Sequence, residues 1–449
     1  MLFARAGGVA MLCGVRVLEA NRSQLSWDLV DLEALLPADH RARLVWRFVE
    51  TLDLTGFYQA IGSRDGEAGR PAADPKVLLA LWLYATLEGV GAARELDRLV
   101  SRDVAYRWLA GGVPVNYHGL SDFRVGWSGE LDRLLTESVT ALVSEGLVEL
   151  DEIAVDGTKI RSPAAARSFT RGGRLERIER QAAERVERLK QEVASDPAAA
   201  RRRRQAAQQR AARETEAKVG KARAALDRLR REKAAREKTH PQEEQHKGAP
   251  SVSLTDPEAR RMRFPDGAVR AGYNLQTAAV PEAGLIVAVI ATDRRNDQGL
   301  ARPLVDAVAR RYGRAPRRAL FDEGYASRAD IAALAEHPLG PVAVYAPPPG
   351  EKPETALDAA GRANRHYKRA REPQAVQDWR ARMQTGEARA IFARRKLIER
   401  IHAHYKNRGL GRLSVRGLVK TQAVALWHAL ANNLMVGHRL RRAALAIQL

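Results

Sequence analysis

Cysteine is almost absent from this chain of 449 residues, in which Cys13 is the only one. A single thiol excludes an intramolecular disulfide and any zinc site built from several cysteines. Such a low cysteine content is typical of proteins in a reducing compartment, so we expect a cytoplasmic location.

Long apolar segments are absent as well. The sequence has no run of about eighteen apolar residues, and we therefore expect no membrane-spanning helix and no membrane partner. The first residues resemble a weak signal peptide, but Arg5 and Arg16 interrupt the apolar run and no small-residue cleavage site follows. We expect residues 1–26 to form a loose leader.

Acidic residues are scarce relative to basic ones. The chain has 54 Asp and Glu residues against 75 Lys and Arg residues, which gives a net charge of +21. A protein this basic usually binds a polyanion, and nucleic acid is the first candidate. A membrane surface is a weaker alternative, because the basic stretches lack a strong apolar face.

Apolar residues recur at helical spacing across residues 27–149. Asp74 and Pro75 are typical of a helix start, and Gly89 is typical of a helix end. We expect an all-helical DNA-binding domain of short helices joined by tight turns, similar to a helix-turn-helix arrangement. A helical bundle with solvated arginines is the alternative. The arginines expected on the surface are Arg94, Arg98, Arg102, Arg107 and Arg124.

Residues 167–247 are rich in Ala, Arg, Glu, Lys and Gln. The segment "SDPAAA" at Ser195–Ala200 would break a helix, and a second, more basic helical pattern follows it. We predict an antiparallel helical hairpin inserted into another domain, with partial disorder as the alternative. The run Arg201–Arg204 fits either a solvated face or a surface that binds the DNA backbone.

Strand and helix patterns alternate in the rest of residues 150–440. "AVRAGYNLQTAAV" and "GLIVAVIATD" are typical of two strands of a hairpin, because Pro-Glu-Ala-Gly lies between them. Helix and strand patterns then follow in alternation, and the end of the region is helical. This order predicts a mixed α/β sheet with helices on its faces. We expect a C-terminal tail at residues 441–449.

Three acids stand out by their positions. Asp156 in "AVDGTK" and Asp322 in "LFDEGYAS" lie at the ends of predicted strands, where sites in α/β proteins gather. Glu399 lies on a predicted helix, "IFARRKLIERIHAHYK". Arg395 precedes it by four residues and Lys406 follows it by seven, which puts the three on one face. An ion-paired surface helix and ordinary turn aspartates are the alternatives.

Converging carboxylates repel one another unless cations neutralise them. Oxygen ligands without a Cys or His cluster select Mg²⁺, with Mn²⁺ as an alternative. Two such ions about 4 Å apart suit in-line attack on a phosphodiester, and Arg395 and Lys406 would then meet phosphates. The acids that compete for the same roles are Asp151, Glu152, Asp293, Asp297 and Glu323.

Two histidines, His402 and His404, follow Glu399 on the same predicted helix. A spacing of two residues places them on different faces. We therefore expect contact with solvent or phosphate rather than shared metal binding.

Taken in order, the motifs resemble those of bacterial insertion-sequence transposases of the DDE class. "GRPAADPKVLLALWLYATLEGV" and "LSDFR" resemble the family's N-terminal helical domain, and "AVDGTKI" resembles its first-aspartate strand. "TDPEARRM", "GYNLQTA" and "NDQG" resemble its middle strands, and "DEGYAS" resembles its second-aspartate motif. "RGLVKTQAVALWHALANNL" resembles its closing helix. The family pattern Tyr-x2-Arg-x3-Glu-x6-Lys is matched by Arg395, Glu399 and Lys406, with Phe392 in place of Tyr.

The resemblance implies a ribonuclease H-like catalytic domain that contains the inserted hairpin and follows the helical domain. It implies that Asp156, Asp322 and Glu399 hold two Mg²⁺ ions and that Arg395 and Lys406 orient the DNA strand. The N-terminal helices would bind the terminal inverted repeats of an insertion sequence. The protein would cleave the element's ends and join them to target double-stranded DNA, as a homo-oligomer.

Two other functions remain open. A catalytically silent DNA-binding protein derived from a transposase is favoured mildly by Phe392, and metal-dependent cleavage separates it from an active enzyme. A coiled-coil scaffold is poorer, because it leaves the strand-end acids unexplained.

Overall fold

The computed structural model describes residues 31–62, 71–195, 199–239, 241, 248–325, 327–348 and 372–447. The predicted leader at residues 1–26 lies outside this part of the chain. None of the helices described is both long enough and apolar enough to cross a membrane.

The first part of the chain is helical. Asp74 accepts a hydrogen bond from the Lys76 amide at 2.8 Å and precedes Pro75, which confirms the predicted helix start. A short 3₁₀ turn, Glu33–Leu35, precedes the helices. The helices are α1 (Arg41–Glu50), α2 (Thr55–Gln59), α3 (Pro75–Leu87), α4 (Ala93–Arg102), α5 (Val104–Ala110), α6 (Tyr117–Gly126) and α7 (Ser128–Ser144).

The predicted mixed sheet is confirmed. Its strands are β1 (Glu152–Arg161), β4 (Arg260–Arg263), β5 (Val269–Val280), β6 (Leu285–Thr292), β7 (Arg318–Leu320) and β8 (Ala343–Tyr345). A separate antiparallel pair joins β2 (Phe169–Thr170) to β3 (Val252–Ser253).

The long strand β5 organises the sheet. One edge of β5 pairs with β4 and then with β6, and its other edge pairs with β1, all antiparallel. Beyond β1 the sheet becomes parallel, because β1 pairs with β7 and β7 pairs with β8. The sheet is therefore antiparallel on one side of β1 and parallel on the other.

Two long helices, α8 (Gly172–Ser195) and α9 (Ala199–Thr239), connect the first strand of the sheet to the rest of it. Leu175, near the start of α8, shares an apolar cluster with Val219 and Leu226, in the later half of α9. Leu189, near the end of α8, clusters with Ala212 in the earlier half. The two helices therefore run antiparallel.

The remaining helices cover the sheet and lead to the chain's end. A 3₁₀ turn, Arg394–Leu397, joins two of them. They are α10 (Ala301–Tyr312), α11 (Arg328–Ala335), α12 (Gln374–Met383), α13 (Gly386–Ala393), α14 (Ile398–Asn407) and α15 (Leu418–Ile447). The segment after residue 440, expected as a tail, continues α15 as far as Ile447.

Helix α15 ties the N-terminal helices to the sheet. Trp427 packs against Trp82 of α3 with ring centroids 6.4 Å apart, and both side chains are fully buried. On the other side of α15, the Asn433 side chain hydrogen-bonds both backbone groups of Ile286, at 2.8 and 2.7 Å. The Gln422 side chain does the same for the Ala291 amide and the Val289 carbonyl, at 2.8 and 2.9 Å. One continuous apolar core results.

Arg124 is not on the surface, which corrects the sequence prediction. Its guanidinium contacts the Gly91 carbonyl and the Ser414 hydroxyl and lies 4.8 Å from the centre of the Trp82 ring. Burial lowers the pKa of Arg124 to about 10, which still leaves it charged at neutral pH. The side chain is buried because α6 packs between α3 and α15, a tertiary contact that helical spacing alone does not reveal.

Candidate active site

The parallel ladder between β1 and β7 brings two of the predicted acids together. Ala154 lies opposite Leu320, the last residue of β7. Continuing this register by two residues places Asp322 beside Asp156. Neighbouring strands lie about 4.8 Å apart, so both carboxylates emerge at the same end of the parallel ladder.

Asp156 nevertheless lies inside β1 rather than at its end, which corrects the prediction that the strand stops at Asp156-Gly157. The reason is β5, which pairs with β1 from Ala154 as far as Arg161. On the other side of β1, the pairing with β7 ends at Leu320. Asp156 therefore has the position of a strand-end residue towards β7 and of a mid-strand residue towards β5.

Arg395 bridges the two aspartates. Its guanidinium nitrogens lie 3.6 Å from Asp156 Oδ2 and 3.6 Å from Asp322 Oδ1. The 3₁₀ turn before α14 positions this arginine. Asp322 is exposed, with 56% of its side-chain surface accessible, whereas Asp156 retains 19%. The Asp322 carboxylate is thus exposed to solvent, whereas the Asp156 carboxylate lies at the buried side of the site.

Burial raises the pKa of the Asp156 carboxyl to about 6. Arg395 and the Gly157 amide, which donates to Asp156 Oδ1 at 2.9 Å, oppose this shift. The negative charges of Asp322 and Asp297 add to it. The single bridging arginine therefore does not fully neutralise the negative charge at this end of the ladder.

His402 also lies against Asp156, and the expectation that it contacts solvent or phosphate is wrong. It is buried, and its Nδ1 lies 3.6 Å from Asp156 Oδ2. Burial, with the nearby charges of Lys406 and Arg395, lowers the pKa of His402 to about 4, so the imidazole is neutral at pH 7. Its position seven residues after Arg395 was the available signal, because that spacing keeps both side chains on one helix face.

Glu399 and Lys406 lie on the same helix, α14. Glu399 is exposed in its first turn, between Arg395 and His402 in helical order. Lys406 is exposed in the last turn, and its charge acts on His402. Within the described ranges, no three Asp, Glu, His or Cys side chains stand together as a metal-binding group. The structure thus joins Asp156, Asp322 and Arg395, while the metal-binding role of Glu399 stays a prediction.

A polar cluster borders the aspartates on the β5 side. Asp297 Oδ1 accepts hydrogen bonds from the side-chain amides of Asn274 and Gln276, both at 2.7 Å. The Tyr325 hydroxyl donates to Gln276 Oε1 at 2.6 Å. The sequence pattern predicts only that Asn274 and Gln276 lie in a strand. Their alternate spacing in an apolar strand was the signal, because it places two polar groups on one buried face.

Gly157 allows this cluster to approach the strand. A Cβ atom at this position would lie 2.5 Å from Asp297 Oδ1 and 2.5 Å from Gln276 Nε2. Any side chain would therefore push Asp297 away from β1. The glycine after Asp156 has a steric role here, in addition to any turn preference.

Most of the competing acids are engaged elsewhere. Glu152 pairs with Arg318 at 3.0 Å and also with Arg394. Asp151 pairs with Arg314 and Arg317, at 3.2 and 3.4 Å. Asp293 pairs with Arg228 and Arg260, at 2.6 and 3.0 Å. Asp297 is the competitor that the structure places beside Asp156.

Comparison with known families gives two matches. The family model described as a transposase DDE domain matches residues 247–434, and the one described as a transposase domain (DUF772) matches residues 30–125. Neither a curated protein nor a solved structure matches the chain. The first match includes Asp322, Arg395 and Glu399, whereas Asp156 lies between the two matched segments.

Proposed function

We propose that the chain is an insertion-sequence transposase of the DDE class, which binds the terminal inverted repeats of an insertion sequence and catalyses metal-dependent DNA strand cleavage and strand transfer. The two matches to transposase family models support this proposal. The observation that carries this proposal is the pair of aspartates, Asp156 and Asp322, side by side where the parallel ladder ends. Arg395 between them supplies the adjacent positive charge. Substrates with an anionic phosphodiester suit this arrangement.

The proposed catalytic domain has a ribonuclease H-like fold over residues 150–440. Its mixed sheet, with acids at the end of the parallel part, supports that assignment. The proposed division also includes a helical domain at residues 27–149 and the hairpin insertion at residues 167–247. The apolar core shared by the helical domain and the sheet means that these two units would act as one body around α15, whereas the hairpin has apolar clusters of its own.

The donor set fits divalent cations of the Mg²⁺ type. Asp156 and Asp322 offer carboxylate oxygens, and Asp156 is under-neutralised by Arg395. Glu399, exposed on the helix that carries Arg395 and His402 beside Asp156, would complete the set. When bound, two such ions supply an activated attacking oxygen and stabilise the leaving oxygen.

The chain's own groups position the DNA. Arg395 would exchange part of its contact with the aspartates for a phosphate, because its side chain is nearly buried and directed at the site. Lys406, exposed one turn beyond His402, would contact a neighbouring phosphate. His402, neutral and buried, would limit the movement of Asp156 and keep water from its inner side.

The N-terminal helices are the proposed reader of the terminal repeats. Arg94, Arg98 and Arg102 are exposed along α4, at spacings that place them on one side of the helix. Asp103 caps α5 immediately afterwards, so a sharp turn joins the two helices. Such a turn between short helices suits insertion into a groove of duplex DNA. Joining two ends would require two copies of the protein.

The test is cleavage of a duplex that carries the gene's flanking inverted repeat. Purified protein with Mg²⁺ should cut at the repeat boundary, and chelator should abolish cutting. Asp322→Asn and Glu399→Gln should each abolish cutting while duplex binding survives. Glu323→Gln is the matched control, since it neutralises the acid next to Asp322.

The outcomes separate the candidate functions. Repeat-specific binding without cleavage in Mg²⁺ or Mn²⁺ would identify a catalytically silent DNA-binding protein. Cleavage that persists in Glu399→Gln would remove Glu399 from the proposed site and leave the two aspartates.

A further inference from the structure

The two helices of the hairpin differ sharply in charge. Helix α8 contains six Lys and Arg residues and five Asp and Glu residues, so its charges nearly cancel. Helix α9 contains fifteen Lys and Arg residues and five Asp and Glu residues. The excess positive charge of α9 is larger than the number of acidic residues in α8, so ion pairs within the hairpin cannot neutralise all of it.

Part of the excess forms a stripe on one face of α9. The positions follow one another in steps of three and four residues, which keeps them aligned along an α-helix. Small residues, Ala217 and Ala224, occupy the two remaining positions of this face, so it is flat. The basic members of the stripe are Arg210, Arg213, Lys221, Arg228 and Arg231.

The stripe faces away from α8. Val219, Ala222 and Leu226 are the buried residues of α9 that pack with Leu175 of α8, and they lie on the opposite side of the helix. All five basic side chains are exposed. Within the described part of the chain, Arg213, Lys221 and Arg231 form no ion pair, so their charges are available to a partner.

The stripe reaches the body of the protein beside the candidate site. Arg228 pairs with Asp293 at 2.6 Å, and Arg260 joins Asp293 to Glu232 of α9, both at 3.0 Å. Asp293 and Asp297 belong to the same short loop after β6. Since Asp297 lies against Gly157, next to Asp156, this loop contacts both α9 and the candidate site.

The dimensions of the stripe match duplex DNA. From Arg210 to Arg231 it is about 32 Å long at a rise of about 1.5 Å per residue. One turn of B-DNA is about 34–36 Å. A row of exposed cations of this length complements a phosphate backbone better than a protein surface, because covering the charges of Arg213, Lys221 and Arg231, which have no ion pair in the described part of the chain, would be costly.

We propose that the outer face of α9 binds the phosphate backbone of the duplex that leads away from the candidate active site. This inference rests on the proposed function, because it assigns the inserted hairpin to the same DNA substrate. The interaction is independent of base sequence, since it uses charge and no groove contact. The side chains of the Arg201–Arg204 run, expected to form either a solvated face or a surface that binds the DNA backbone, lie outside the described part of the structure.

The experiment compares two triple variants of the full chain. Arg210→Gln, Arg213→Gln and Lys221→Gln together remove three charges from the stripe. Arg177→Gln, Arg180→Gln and Arg188→Gln remove three exposed charges from one face of α8. The acidic Glu184 lies among these arginines, so this face has no continuous basic stripe. Unchanged helical circular dichroism should show that both variants fold, because all six side chains are exposed.

The readout is the affinity for a terminal-repeat duplex as a function of salt concentration. Each lost phosphate contact reduces the logarithmic salt slope by about 0.9, so the α9 variant should lose about 2–3 units of slope. Its affinity near about 0.1 M salt should fall roughly 10- to 100-fold. A duplex that ends at the cleavage point should show no difference, and the α8 variant should match the parent chain.

Each other outcome has one meaning. If the parent chain neither binds nor cuts repeat DNA, the proposed function fails and the inference fails with it. If the parent chain cuts but the two variants have equal salt slopes, only the role of α9 is overturned. If the α9 variant keeps its salt slope but dissociates into monomers by light scattering, the stripe is a contact between copies instead.

Discussion

Two carboxylates on strand β1 have opposite surroundings. Glu152 and Asp156 are four residues apart, so both project from the same face of the strand. Glu152 has two arginine partners, Arg318 at 3.0 Å and Arg394. Asp156 has one, Arg395 at 3.6 Å, and shares it with Asp322. The first end of the strand is neutralised, and the second keeps surplus negative charge.

Consecutive residues produce this difference. Arg394 and Arg395 leave the same 3₁₀ turn and reach opposite ends of the strand segment. The first end therefore has two arginines for one acid, and the second has one arginine for two acids. Neutralised pairs contribute to folding, whereas the surplus negative charge beside Asp156 and Asp322 is available to bind a cation.

The largest expected effect is on cleavage. Asp156→Asn should lower the rate of repeat-end cleavage by about 10³-fold or more, because a carboxylate of the proposed cation site is lost. Glu152→Gln, the matched change at the other end of the strand, should lower it less than about threefold at a temperature where it is folded. Single-turnover cleavage with gel analysis measures both. Equal losses would show that the two ends do not differ in role.

The next prediction compares the adjacent arginines Arg395 and Arg394, which contact acids at opposite ends of β1. Arg395→Ala should reduce cleavage about 10²-fold or more, because it removes the positive charge between the two aspartates. Arg394→Ala should lower the free energy of unfolding by about 2 kcal/mol, because it leaves the buried Glu152 with fewer partners. Chemical denaturation and cleavage assays on both variants test this. A stable but inactive Arg394→Ala would contradict it.

A smaller effect concerns pH. The folded-state pKa of Asp156 is about 6, above its ordinary value of 3.8, so the folded state holds the proton more tightly. Stability is therefore lost as pH rises from about 4 to about 6, by up to about 3 kcal/mol relative to an uncharged side chain. In chelator, Asp156→Asn should melt close to the parent at about pH 3.5 and about 2–5 °C above it at about pH 7.5. A constant difference across pH would contradict the raised pKa.

The smallest effect is expected at Phe392, where the family pattern has tyrosine. The ring is partly buried and lies 5.8 Å from the Arg395 guanidinium. Phe392→Tyr should change cleavage by less than about threefold, because the aromatic contact with Arg395 is kept and only a hydroxyl is added. Steady-state cleavage measures it. A gain above tenfold would mean that the missing hydroxyl limits activity.

Local patterns predicted much of this molecule. Alternating strand and helix signals predicted the mixed sheet, and the capping pair Asp74-Pro75 marked the start of α3. The proximity of Asp156 and Asp322 also followed from their strand-end positions. These features depend on periodicity and on the rule that strand ends meet at one edge of a sheet.

Features set by distant partners were missed. The length of β1 depends on β5, more than a hundred residues later, so Asp156 was placed at the wrong point along its strand. The burial of Arg124 and of His402 depends on packing between elements far apart in sequence. The Asp297 cluster forms where Gly157, the side-chain amides of β5 and the loop after β6 come together. These segments are far apart in sequence, so no local pattern reveals the cluster.

The amide contacts of α15 have a consequence for how copies of this protein can meet. Strand β6 borders the sheet, and Gln422 and Asn433 occupy the hydrogen-bonding groups along its outer side. At the opposite border, Arg382 and Trp379 bind the carbonyls of Val344 and Ala346, at 3.0 and 3.1 Å.

An incoming strand would have to displace a helix at β6 or at β8 before it could extend the sheet there. Association of two copies through the β6 or β8 border is thereby disfavoured.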